Sequence, residues 1–174
     1  MQSKTERVLK GMNVLAWVAL ILLLVQTGAV VVTFSISLAI PGITPRLYMG
    51  PGFYPVLQYG LMYYILMISF MVVILVLEVY IAYLVTKILS KIKMENPFKI
   101  EISDLMEKIS YYILIIWVTA MISNLYNRWL SEQIPGFKEN LISGEFILIA
   151  GVVFVFSQIF KKGVELQTEN ELTV

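Results

Sequence analysis

The chain of 174 residues contains no cysteine and no histidine, and only 14% of it is charged. Without cysteine there is no disulfide framework, thiolate nucleophile or thiolate metal site. Without histidine the commonest metal ligand and the side chain that titrates near neutrality are both missing. An excess of one charge is lacking too: thirteen Lys and Arg stand against twelve Asp and Glu, so no basic face for nucleic acid is expected. Soluble domains are about half apolar and about a quarter charged. Here 59% of residues are hydrophobic and the mean hydropathy is +0.81. These balances argue against a soluble enzyme, a nucleic-acid-binding domain and a disordered tail, and for a protein whose solvent is lipid.

What is present is a set of long charge-free runs: residues 11–45, 47–77, 109–127 and 146–160. A membrane-spanning helix needs roughly 20 apolar residues, and unpaired backbone groups in hydrocarbon cost several kcal/mol each, which leaves helices as the spanning form here. The runs predict an all-α integral membrane four-helix bundle, a single membrane domain over 1–174 with helices at about 14–39, 57–91, 103–130 and 141–162. The first helix is followed by the breaker-rich loop PGITPRLYMGPGFYP. The second would reach roughly 50 Å and must tilt or project beyond the bilayer. The first apolar stretch, about 26 residues, is too long for a cleaved signal's core and reads as a retained helix.

Of the thirteen basic residues, only Arg46, Arg128 and Lys138 fall in the two loops on one side. Lys4, Arg7 and Lys10, the link bearing Lys87, Lys91, Lys93, Lys99 and Lys108, and the terminal Lys161 and Lys162 share the other. The positive-inside rule then puts the N-terminus and C-terminus in the cytoplasm. Tyr48, Phe53, Tyr54 and Tyr59, with Tyr126, Trp129 and Phe137, form the expected outer aromatic belt.

Glu78 is the sharpest single signal, an ionisable group nine residues before Lys87 in an otherwise apolar run. Helical rise puts it roughly 13 Å from the inner end of its helix, and a carboxyl there is a candidate intramembrane switch. At 100° per residue its own face carries Met67, Met71, Ile74 and Ala82. A polar partner must come from another helix, with Trp17, Tyr111, Tyr112 and Ser157 as candidates. The plainer reading is a capped carboxyl that keeps helices in register, or one that meets water. Asn13, Gln26, Asn124 and Asn127 are too scattered to form a polar stripe and read as interhelical hydrogen-bonding groups. No span carries an internal Gly/Pro break of the kind transporters use. No cluster of catalytic residue types appears, so no enzyme is expected. Neither cofactor nor metal is expected.

Two stretches outside the spans stand out. In Met94-Glu95-Asn96-Pro97-Phe98, Pro97 disfavours helix at Asn96 and ends the second helix. Ser103 then reads as the N-cap of the third, with Asp104 and Glu107 in its first turn. At the C-terminal end Gly163 can terminate the last helix, although Val164-Glu165-Leu166-Gln167 could equally carry it on. Glu165, Glu169 and Glu171 would then be repelled by anionic headgroups, leaving a tail open to a soluble partner. The plainer readings are an ordinary connecting loop and a solvated end.

Asn96-Pro97-Phe98 and the ending from Ile159 to Gln167, including Gly163, Glu165 and Leu166, followed by Glu169 to Val174 with Glu171, resemble a bacterial family of four-span membrane proteins known as domain of unknown function 2975. Two features differ from the family pattern: Glu95 stands where the family has glycine, and Glu101-Ile102-Ser103 replaces an asparagine cap. Members are often encoded beside a Cro-type helix-turn-helix regulator, so the resemblance implies the membrane component of a regulatory pair in the bacterial plasma (inner) membrane. The expected function is a non-enzymatic multi-span sensor or regulator. Its expected partners are the lipid bilayer, a cytosolic helix-turn-helix regulator and further copies of the chain, with no direct nucleic-acid binding. The competing class is a small transporter or pore component that uses Glu78.

Overall fold

The computed structural model describes residues 4–92, 99–138 and 146–172. All regular structure among them is helical: α1 Lys4–Ala39, a short 3-10 helix Pro41–Arg46, α2 Gly50–Tyr59, α3 Leu61–Lys91, α4 Ile100–Gln133 and α5 Phe146–Leu172. Three helices carry stretches long and apolar enough to cross a membrane: Arg7–Ala39, Leu61–Lys91 and Ile100–Gln133. The run predicted as a fourth is cut at one end by Lys161 and Lys162, while the other end, from residue 141 to Glu145, lies outside the described residues.

Little of this apolar surface is turned inward. Only 11% of the apolar window of α1 is buried, 22% of that of α3 and 33% of that of α4. Leu22, Val25, Met62, Leu125 and Leu148 are all exposed large hydrophobics. A water-soluble monomer does not leave apolar patches of this extent uncovered.

Element ends differ from the sequence expectation for local reasons. The breaker-rich loop after α1 is helical over most of its length. Of its four prolines, Pro41 and Pro51 lie in the first turns of the 3-10 helix and α2, where the missing N–H has no intrahelical partner to lose, while Pro45 and Pro55 lie inside those two elements. α2 starts from Met49, whose left-handed backbone (φ 57°) is a strained conformation for a non-glycine residue. α4 begins at Ile100 rather than Ser103, and the backbone N–H groups of Ile102 and Ser103 both bond to the Lys99 carbonyl. α5 runs through Gly163 to Leu172, so the expected free tail is a helix.

The chain groups into two compact units. One comprises Met1–Ile21, Val79–Ile115 and Glu145–Val174; the other comprises Leu22–Glu78 and Ile116–Gly144. In the first, Leu84 of α3, Leu105, Ile109 and Ile113 of α4 and Ala150 of α5 form the core. Tyr80 meets Tyr112 edge-on, with ring centroids 4.8 Å apart. An ion pair joins Lys91, the last residue of α3, to Glu101 in the first turn of α4. The second unit has its core at Val56, Tyr64, Met67, Ile68, Leu130, Ile134 and Phe137. There Phe34 of α1 leans on Tyr64 at 5.9 Å, and the Tyr126 hydroxyl donates to the Tyr63 carbonyl at 3.2 Å.

Candidate functional site

One row of buried residues on α4 recurs at spacings of three and four, Ile102, Leu105, Ile109, Ile113, Ile116, Ala120, Ser123, Asn127 and Leu130, with Ser103 and Ser110 buried beside it. That is the period of a single helix face turned to other helices. The stripe is apolar except at Ser123 and Asn127, one turn apart. On α3 the face predicted to run with Glu78 is present as well, because Met67, Met71, Ile74 and Glu78 line one cavity. Helical spacing alone accounts for this, since these positions are separated by three or four residues.

The two polar interruptions meet in that cavity, which lies wholly within the unit built from Leu22–Glu78 and Ile116–Gly144. Its volume is about 210 Å³. Ser123 and Asn127 come from α4, Gln26 from α1 and Glu78 from α3, while Phe53 of α2, Leu75 of α3 and Phe137, which follows α4, complete an apolar wall with the methionines. None of the lining residues is basic. The arrangement offers one carboxyl, two amides and one hydroxyl in a largely apolar, open-sided pocket in which Glu78 is half-buried and Gln26 exposed, and small-molecule sites combine hydrophobic body and polar orientation in this way.

This corrects two expectations about Glu78. The residues that line the cavity with it are Gln26 of α1 and Ser123 and Asn127 of α4, and none of Trp17, Tyr111, Tyr112 or Ser157 lines it. Those four belong to the other unit, where three of them make contacts of their own. The Tyr111 hydroxyl donates to Glu107 at 3.3 Å, Tyr112 meets Tyr80 edge-on, and the Ser157 hydroxyl donates to the Phe154 carbonyl at 2.7 Å. Gln26 and Asn127 are also not scattered, since the fold gathers them. The missed signal was the three-and-four period of α4, which puts Ser123 and Asn127 on its buried face.

Asn96, Pro97 and Phe98 lie outside the described residues. Gly163, Glu165, Leu166, Gln167, Glu169 and Glu171 all fall within α5. Lys162 donates to the Glu165 carboxylate at 2.9 Å, one turn along the helix. This bond holds the Glu165 carboxyl below, and the Lys162 ammonium above, their ordinary pKa values. Gly163 does not stop the helix, which runs on through Val164-Glu165-Leu166-Gln167 to Leu172, with the Thr168 hydroxyl donating back to the Val164 carbonyl at 2.9 Å.

All-α architecture with three helices fit to cross a bilayer, and a mostly uncovered apolar surface, places the chain in the class of helical proteins compatible with a membrane. The chain belongs to the family described as protein of unknown function (DUF2975), whose model matches residues 14–174. No curated protein and no solved structure matches it.

Proposed function

We propose that this is a non-enzymatic four-span protein of the bacterial plasma membrane, with both ends cytoplasmic, that acts as a small sensor or regulator. α5, uncharged from Phe146 to Phe160, serves as the fourth span. The observation that carries the reading is the cavity in which Glu78, Gln26, Ser123 and Asn127 meet among apolar side chains. Polar groups are costly inside a membrane protein and are retained there chiefly for function.

The helices that line the cavity also supply the Lys91–Glu101 ion pair at their far ends. Occupancy of the cavity shifts α3 against α4, and a helix transmits such a shift along its length. The Lys87–Lys108 segment and the end of α5 are then presented to, or withdrawn from, a cytosolic helix-turn-helix regulator, and further copies of the chain are natural additional partners. The test is co-purification, from native membranes, of a cytosolic helix-turn-helix regulator. The intact protein captures it and a form truncated after Lys162 does not; undiminished capture by the truncated form rejects the role of α5. The gathering of Glu78 with two amides also favours a second reading, a small transporter or pore component, which makes a separate prediction of flux.

A further inference from the structure

Glu78 is the only ionisable residue among those that line the cavity. An ionised carboxyl in such a place is expensive unless a cation meets it, and the lining supplies none. An occupant that brings the cation resolves the cost. A bare metal ion suits the site poorly, because calcium and magnesium need six or more oxygen ligands, whereas most of this wall is carbon and sulfur. A fatty acid or another anion would face like charge. An ammonium suits it: one donor to Glu78, with the side-chain oxygens of Gln26 and Ser123 as further acceptors. Phe53 and Phe137 offer aromatic rings, which attract cations across their faces. The methionines Met67 and Met71 adapt to an irregular apolar body. The volume of about 210 Å³, set beside a cavity of roughly 150 Å³ that takes benzene, fits an occupant on the order of ten non-hydrogen atoms.

We propose that this cavity binds a small amphiphilic amine, its ammonium paired with Glu78 and its apolar part among Met67, Met71 and Phe137. The inference rests on the sensor reading above and names the chemical class of the signal.

The full-length protein in lipid nanodiscs is titrated with phenethylamine and, in parallel, with the uncharged phenethyl alcohol, and binding is read from the rise in thermal unfolding temperature. Phenethylamine is expected to give a saturable rise in the wild type. Glu78→Gln should raise its apparent Kd at least about tenfold, since removing one partner of a partly desolvated charge pair weakens binding by that order. Met71→Trp, which fills the space, should abolish the response. The alcohol should bind the wild type at least about tenfold more weakly than the amine and be indifferent to Glu78→Gln. Equal amine affinity in wild type and Glu78→Gln overturns the proposal, as does an alcohol that binds as well as the amine, or the absence of a saturable response. Should Glu78→Gln fail to fold, the amine-to-alcohol preference of the wild type decides alone, and Glu78→Asp is expected to retain that preference. Regulator capture separates the two readings: absent amine binding with α5-dependent capture intact rejects the ligand class and leaves the sensor, while amine binding without α5-dependent capture rejects the sensor route and leaves the site.

Discussion

The Ser103 hydroxyl donates to the Ser157 backbone carbonyl at 2.8 Å, tying α4 to α5 between two residues with no exposed surface. Ser103 is therefore an interhelical latch, not the cap its sequence position invites. Its replacement by alanine should cost about 0.5–1.5 kcal/mol, the net worth of one such bond. Ser103→Leu should cost more, because the added carbons have no room. Thermal unfolding in detergent measures both, and α5 should become the more readily proteolysed helix.

Gly50 opens α2 against the 3-10 helix, and a Cβ there would fall on the carbonyl oxygen of Thr44, itself fully buried. Gly50→Ala should therefore destabilise by about 1–3 kcal/mol, as overpacking does. Gly28, within α1, has nothing near its missing Cβ. Gly28→Ala should be neutral or stabilising by up to about 1 kcal/mol, from reduced backbone entropy in a helix interior. Paired unfolding curves of the two variants should move in opposite directions.

The Glu165–Lys162 pair predicts a local pH response. The Glu165 pKa is lowered by the hydrogen bond from Lys162. Its contribution to the end of α5 is thus complete above the ordinary glutamate range and fades as acidification passes through the lowered value. Carboxyl-labelled NMR should find Glu165 titrating at lower pH than an exposed glutamate, and Lys162→Gln should move that titration upward. An unchanged titration in Lys162→Gln would contradict the pairing.

Were the protein a transporter or pore, Glu78 would carry its flux. Proteoliposomes under an imposed proton gradient should show no uptake beyond that of empty vesicles if the sensor reading holds. Uptake present in the wild type and lost in Glu78→Gln would move the protein to the transport class.

The three helices long and apolar enough to cross a membrane were legible, because charge is excluded from hydrocarbon and gaps between Lys, Arg and Glu mark such stretches directly. The α3 face holding Met67, Met71, Ile74 and Glu78 was legible for an equally local reason, the fixed angular step of a helix. What escaped was of two kinds. The end of α1 before Pro41 lies where the sequence puts it, but the breaker-rich loop that follows is largely helical, with Pro41 and Pro51 in first turns. At Gly163, followed by Val164-Glu165-Leu166-Gln167, the sequence allows both stop and continuation, and α5 continues. The company of Glu78 depends on which faces of α1 and α4 turn toward α3, a matter of pairing over long sequence separations that no single segment encodes. Ser103 failed for the same reason, since its partner lies in a helix more than fifty residues away.

Continuation of α5 beyond Gly163 puts Glu165 and Glu169 four residues apart, along one line on the rod. Such a line has a phase. Deleting a single residue between Phe160 and Glu165 would swing it by about 100° around the axis without altering composition or charge, and inserting a whole turn would restore its bearing. A recognition surface built this way is indexed by rotation, so a binding partner would distinguish sequences that a flexible acidic tail would present alike.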